Sequence, residues 1–286
     1  MKTLILGANG QLGSELAKTA PDGVTLLQTD QSTLDITDVQ AVSETFSAER
    51  PQLVINAAAY TAVDQAETEP ELAQAVNAVG AGHVAAVAAA QGARLVHVST
   101  DFVFDGAAST PYLPEARTRP LSVYGKTKRD GEEAVRAAYP EAIVLRTAWL
   151  YAAGGRNFVA TMLRLMKEGK PLRVVADQVG SPTWARTLAE ATWALGLNLA
   201  ASGIHHWTDA GVASWYDFAV AIQDEALAHG LLDAPTTIDP ISTADYPTPA
   251  KRPAYSVLDC RATREASGLP AVHWRHALKR MLEEIK

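Results

Sequence analysis

A tyrosine and a lysine stand four residues apart in 121-LSVYGKTKRD-130, at Tyr124 and Lys128. On a helix, positions i and i+4 share a face, so phenol and ammonium would point at one spot. A free phenol has a pKa of about 10. A neighbouring ammonium favours the phenolate and lowers that value, which suits a proton donor working near neutral pH. The same spacing occurs on ordinary solvated helices, so the pair needs support from elsewhere. It finds some in 99-STDFVFDG-106, where Ser99, Thr100 and Asp101 bring two hydroxyls and a carboxylate. A Thr100 hydroxyl would hydrogen-bond a substrate carbonyl, and Tyr124 would give that oxygen a proton. Such a site still lacks a hydride.

The N-terminal stretch offers a place for a hydride carrier. 7-GANGQLG-13 is G-x-x-G-x-x-G, directly after the apolar run 3-TLIL-6 and at the head of a helical pattern. Glycines at Gly7, Gly10 and Gly13 permit a tight turn and close approach of backbone to a pyrophosphate. The N–H groups that open the next helix then face the phosphates. This strand–turn–helix context is what a dinucleotide-binding turn demands. The second apolar run ends in Asp30. An acid there bonds a ribose 2′-hydroxyl and disfavours a 2′-phosphate. No Arg or Lys lies between Gln28 and Ile36 to welcome that phosphate. The competing reading makes Asp30 a plain loop residue in TDQSTLD. Asp35 and Ile36 form an acid–apolar pair suited to the adenine amino group and one ring face.

These residues must be positioned by the elements around them. Short apolar runs at 3-TLIL-6, 24-VTLLQ-28, 53-LVINAAA-59, 94-RLVHVST-100 and 142-AIVLRTAWL-150 alternate with helical patterns at 10–20, 38–49, 70–91 and 123–138. Gly131 reads as a weak point in the last of these helices. Strand–helix alternation with near-continuous apolar strands predicts an α/β fold, a doubly wound parallel sheet (Rossmann-like) covered on both faces. Ligands of such sheets sit beyond the carboxyl ends of the strands, where all the residues singled out so far fall. Beyond residue 150 the pattern loosens into helical stretches at 157–168, 183–197, 214–230 and 274–286, with proline-rich loops between them. We expect a dinucleotide-binding domain over 1–150, to which the chain could return later. A smaller, irregular α/β substrate lobe over 151–286 would close over the ligand end.

Composition bounds the function classes. The chain has 286 residues, 48% of them apolar, and a net charge of −7. No basic stripe marks a nucleic-acid surface, and no uninterrupted apolar run reaches a membrane span. The apolar core of MKTLILGANG is too short for a signal peptide. A single cysteine, Cys260, excludes an intramolecular disulfide and suits a reducing compartment. It follows an apolar run and reads as a buried structural thiol. The expected setting is cytoplasmic, with no nucleic-acid and no membrane partner. His205 and His206 fall on opposite faces of a likely strand end, which argues against a shared metal.

The strings GANGQLG, NAAAYTAVDQAE, HVSTDFVFDG, YGKTK and LRTAWLY together resemble the extended short-chain dehydrogenase/reductases. More narrowly, they resemble the branch of dTDP-4-dehydrorhamnose reductases. The resemblance runs from Met1 to about Arg252. It implies reduction of a 4-keto group on a small nucleotide-sugar substrate, dTDP-4-dehydro-L-rhamnose, with NADPH or NADH as cofactor. It implies Tyr124 as acid, Lys128 as its partner, also able to hold the nicotinamide ribose, and Thr100 as the adjoining hydroxyl. It places Gly10, Gln11, Leu12, Asp30, Asp35, Ile36, Ala59, Tyr60 and Thr61 on cofactor-contacting positions, and Asp101 and Trp149 on substrate-contacting ones. Trp149 also fits a core position after the fifth strand. Charge logic adds Arg252 for the substrate diphosphate. Two positions depart from the pattern: Tyr60 stands where relatives often carry His, and Arg186 stands where some carry a magnesium-binding acid opposite Glu15. Arginine cannot ligate a metal, so no metal is assigned, although Glu190 lies one turn on. Monomer and homodimer both stay open. So do two other functions: reduction of another nucleotide-linked 4-keto-deoxysugar, and a non-catalytic dinucleotide-binding subunit resembling the regulatory one of methionine adenosyltransferase.

Overall fold

The computed structural model describes residues 1–285; the last residue of the C-terminal helical pattern, Lys286, lies outside them. The first half of the chain runs β1 (Lys2–Leu6), α1 (Gln11–Lys18), β2 (Thr25–Thr29), α2 (Val39–Glu49) and β3 (Leu53–Asn56). It continues with α3 (Pro70–Gln74), α4 (Ala81–Gln91), β4 (Arg94–Thr100), α5 (Val123–Ala138) and β5 (Ile143–Thr147). Beyond it come β6 (Leu150–Tyr151), α6 (Phe158–Lys167), β7 (Leu172–Val175), β8 (Val179–Gly180), β9 (Thr183–Trp184), α7 (Ala185–Leu197) and β10 (Gly203–His206). The chain closes with β11 (Ala213–Ser214), α8 (Trp215–Ala228), β12 (Ile238–Ile241), α9 (Arg261–Ser267) and α10 (Trp274–Glu283).

Six strands form one parallel sheet in the order β10-β5-β4-β3-β1-β2. Successive strand side chains point to opposite faces, and both faces are buried. Leu4, Leu6, Val54, Leu95 and Val144 pack with Val42 and Phe46 of α2, Val84 and Ala88 of α4 and Val135 of α5. Ile5, Leu53, Ile55, Val96 and Leu145 pack the other way, against Leu12 and Leu16 of α1 and Leu188 and Trp193 of α7. This two-sided burial explains why the strands read as continuous apolar runs rather than alternating ones.

A cut at residue 150 does not separate the layers. Helix α7 covers the sheet beside α1, and β10 extends the sheet beyond β5. The lobe has its own core of Tyr151, Val159, Phe218, Trp274 and Met281, drawn from β6, α6, α8 and α10. Its strands are short pairs that sequence patterning does not resolve: β11 with β8, β12 with β7 and β6 with β9.

The helical pattern over 70–91 is interrupted. Residues Ala75–Gly80 form a wider π-type turn between α3 and α4. The whole stretch Pro70–Gln91 has the length and apolar content of a membrane span. Here its Ala81, Val84, Ala85 and Ala88 are spent on the sheet. Cys260 is buried, as read, and accepts a hydrogen bond from the Thr208 N–H at 3.2 Å.

Candidate active site

The strand order reverses between β1 and β3, because β2 lies to one side of β1 and every later strand to the other. A crevice opens where the loops after those two strands part. It holds a cavity of about 720 Å³. Gly7, Gly10, Gln11, Leu12, Gly13, Asp30, Asp35, Ile36, Ala59, Tyr60, Thr61, Thr100, Asp101, Tyr124, Lys128 and Trp149 all line it. Of the site residues read from sequence, Arg252 alone is elsewhere. Its guanidinium grips Asp64 bidentately, at 3.1 and 2.8 Å. The charge logic identified a cation but could not identify its anion, and a carboxylate from the loop after β3 has taken it.

The glycine-rich turn is a backbone cradle. Gly7 has φ +79, and a Cβ there would lie 2.7 Å from the Ala58 nitrogen. A Cβ on Gly13 would lie 2.4 Å from the Gly7 carbonyl oxygen. The turn therefore packs backbone to backbone, and Gly10, Gln11, Leu12 and Gly13 bring the N-terminal turn of α1 to the cavity wall. A diphosphate fits that cradle. Asp30 joins the cavity wall, and Ser32 and Thr33 hold its carboxylate: one oxygen accepts from the Ser32 N–H at 2.9 Å and hydroxyl at 2.7 Å. The Ser32 hydroxyl holds its pKa below the usual carboxylate range. The other oxygen accepts from Asn9. Asp30 is thus a structured loop residue and a cavity residue at once.

Helix α5 carries the Tyr–Lys pair. Its N terminus is capped by Ser122, whose hydroxyl accepts from the Gly125 N–H at 3.2 Å, and by Glu67, which accepts from the Val123 N–H at 2.8 Å. Tyr124, Lys128 and Glu132 fall on one helix face, all buried. Lys128 Nζ donates to the Val98 carbonyl at 2.7 Å. Burial pulls its pKa down to about 8, against the raising influence of Glu132. Burial likewise pushes Tyr124 up to about 12, with the neighbouring Thr100 hydroxyl acting to lower it and the Asp101 charge adding to the rise. The expectation that the ammonium would lower the phenol's pKa is not met. Desolvation of the phenolate dominates, and the lysine's charge is directed at a strand carbonyl.

Thr100 ends β4, and its hydroxyl donates to Asp101 Oδ1 at 3.1 Å. Among the described residues, Asp101 Oδ2 and Thr147 Oγ1 are buried in the cavity wall without a hydrogen-bond partner. Buried polar atoms in proteins are nearly always satisfied, so these two suit a polar ligand. Burial lifts the Asp101 carboxyl to about 6. Trp149 adopts φ 49, a left-handed conformation uncommon for a large side chain. Its indole stacks on Trp215 of α8, centroids 3.6 Å apart and planes 4° from parallel. A Cβ on Gly180 would come within 2.6 Å of that indole.

Two residues escaped the sequence reading. Asn77, in the π-type turn, clamps the Tyr60 backbone, its Oδ1 accepting from the N–H at 2.8 Å and its Nδ2 donating to the carbonyl at 3.0 Å. A lone amide within AVNAVG was the available signal. Arg156 lines the cavity from the loop before α6; flanking glycine and asparagine gave it the look of an ordinary turn. At the metal position considered above, Arg186 Nε lies 2.7 Å from Glu15 Oε2, and Lys18 and Glu284 complete the cluster. The Glu15 carboxylate is thus shared by two cations. His205 and His206 do diverge: His206 Nδ1 meets the Tyr112 carbonyl, while His205 Nε2 meets that of Ser202.

Comparison with known proteins identifies the family. The chain is 44% identical to a dTDP-4-dehydrorhamnose reductase of Aggregatibacter actinomycetemcomitans, over 97% of each chain. It is also 44% identical to a probable dTDP-4,6-dihydroxy-2-methyloxan-3-one 4-ketoreductase of Streptomyces antibioticus, covering 100% of this chain and 96% of that one. The crystal structure of a Bacillus anthracis dTDP-4-dehydrorhamnose reductase in complex with NADP superposes with a TM-score of 0.93, at 36% identity and 99% coverage of both chains. The profile described as the RmlD substrate binding domain matches residues 1–286, and the chain belongs to that family.

Proposed function

We propose that this protein reduces the 4-keto group of dTDP-4-dehydro-L-rhamnose to give dTDP-L-rhamnose, using NADPH or NADH. The observation that carries the reading is that Thr100, Tyr124 and Lys128 line the same cavity as the glycine-rich turn. A nicotinamide cofactor, when bound, supplies the hydride that the keto carbon receives. Everything else falls to the chain. Gly7, Gly10, Gln11, Leu12 and Gly13 receive the diphosphate. Asp30 takes a ribose hydroxyl, while Asp35 and Ile36 meet the adenine. Ala59, Tyr60 and Thr61 border the cofactor's path. Thr100 orients the carbonyl, and Tyr124 protonates its oxygen as the carbon is reduced. Lys128 stabilises the resulting phenolate and holds the ribose. Asp101 offers its free oxygen to a sugar hydroxyl, and Trp149 gives the sugar or base an apolar wall. The net conversion is ketone plus hydride plus proton to alcohol.

The Streptomyces relative favours a second reading, reduction of a different dTDP-linked keto-sugar on the same machinery. The retained acid and its partners give no support to a binding-only subunit. The proposed setting is the cytoplasm, without a nucleic-acid or membrane partner. The test is to mix the protein with freshly made dTDP-4-dehydro-L-rhamnose and follow loss of nicotinamide absorbance, with NADPH and NADH separately. Oxidation yielding dTDP-L-rhamnose is expected. Cofactor binding without turnover would move the reading to the second substrate class. Turnover with NADPH alone would remove the assigned role of Asp30.

A further inference from the structure

The cavity wall carries more acid than base, although a diphosphate is to lie in it. Asp30, Asp35 and Asp101 line it, and of its two cations Lys128 is buried and committed to the Val98 carbonyl. The other is Arg156, exposed and in no salt bridge among the described residues. It belongs to the strap 152-AAGGRN-157 that joins β6 to α6. The strap is tied down at a defined spot. Asn157 Nδ2 donates to Gln11 Oε1 at 2.9 Å and to the Ala152 carbonyl at 2.9 Å. Its Oδ1 accepts from the Ala160 N–H at 2.9 Å, capping α6. Gln11 is the first residue of α1. Gly155 takes φ +79, and a Cβ there would already touch the Gln11 side chain at 3.5 Å. One amide thus fastens the lobe's first helix, the strap and the N-terminal turn of α1 together, with a free guanidinium beside the knot.

We infer that Arg156 binds the cofactor diphosphate, and that the 152–157 strap holds the cofactor against α1 from the lobe side. The inference rests on the dinucleotide reading of the cavity. A helix N terminus offers N–H donors and partial positive charge on one side of a diphosphate. A guanidinium, which matches phosphate oxygens bidentately, supplies the opposite side. Because Arg156 is exposed, its attraction is screened by salt.

The experiment is a fluorescence titration of NADPH into substrate-free protein, comparing wild type, Arg156→Gln and Arg156→Lys at low and high salt. dTDP serves as a second probe. Arg156→Gln should weaken NADPH binding about tenfold at low salt, the scale of one charge-assisted hydrogen bond. The gap should narrow as salt rises, and Arg156→Lys should recover part of it. dTDP binding should be unchanged. If the glutamine variant binds NADPH as tightly as wild type, the inference fails while the dinucleotide reading stands. If dTDP loses affinity instead, Arg156 serves the substrate's diphosphate and the inference is overturned. If wild type binds neither NADPH nor NADH, the cavity reading falls and takes the inference with it.

Discussion

Burial raises the Tyr124 phenol to about 12, so it holds its proton firmly, and a donor must hold its proton until the carbonyl oxygen calls for it. Tyr124→Phe should lower turnover by about 100-fold or more, the usual weight of a positioned acid. NADPH binding should survive, and near-wild-type turnover would remove Tyr124 from the mechanism. Lys128 titrates near 8, so its ammonium is present below that pH and lost above it. The free-enzyme profile of kcat/KM should therefore fall as pH rises through about 8. Burial lowers the Lys128 value and Glu132 on the same helix raises it; the His97 imidazole of β4 is held well below its ordinary value by burial first and by the Lys128 charge second. Glu132→Gln should move the alkaline midpoint downward. It should also cost about 3–5 kcal/mol of stability, because Glu132 pairs with the buried Arg146 at 2.7 Å and a lone buried charge is expensive. A pH–rate profile and a denaturant melt separate the two effects. At this scale the sequence was informative wherever a residue's job depends on its neighbours in the chain, as with GANGQLG and YGKTK. It was mute where the partner is distant, as with Arg252 and Asp64.

Helix α5 shows the limit of reading elements by propensity. Gly131 looked like a weak point, because glycine lowers helix stability. The structure gives it a different job. A Cβ at Gly131 would lie 2.0 Å from the Asn77 carbonyl oxygen, and one at Gly125 would lie 2.3 Å from that of Phe102. Both glycines let α5 sit directly on neighbouring backbone, which brings Tyr124 and Lys128 to the crevice. Gly131→Ala should destabilise by about 1–3 kcal/mol, the cost of overpacking, despite alanine's better helix propensity. It should also displace the Asn77 clamp on Tyr60 and weaken cofactor binding. A melt showing stabilisation would contradict this packing role. The π-type turn that holds Asn77 left no periodic trace in an alanine-rich run, since small apolar residues satisfy any helical period. The lobe's two-residue strands were equally silent, because alternation needs length to register.

Across the whole molecule, buried acids make stability depend on pH. Asp209 lies between the lobe and α7, accepting from the Trp184 N–H at 2.9 Å and the Thr187 hydroxyl at 2.6 Å. Burial lifts its carboxyl to about 7. An unfolded aspartate ionises near pH 4. Between those values the folded chain keeps a proton that the unfolded chain has released, so this group's contribution to stability falls as pH rises from about 4 to about 7. His206, held down to about 3 by burial and by Arg146, acts oppositely over an overlapping range. The informative quantity is therefore a difference. The melting temperature of Asp209→Asn relative to wild type should rise from pH 4 to 7 and level off above. A flat difference would mean that Asp209 is not carried as a neutral acid.

The Trp149–Trp215 stack joins an indole beyond β5 to one on a lobe helix, in van der Waals contact and nearly parallel. Two such chromophores share their electronic excitation. The protein should therefore carry an exciton-coupled signature in its circular dichroism, absent from Trp215→Phe. A ligand that shifts Trp149 against its neighbour would change that signature without any label being added. The molecule thus contains its own optical gauge of how lobe and sheet are seated, readable in the ultraviolet while the nicotinamide reports on chemistry at longer wavelength.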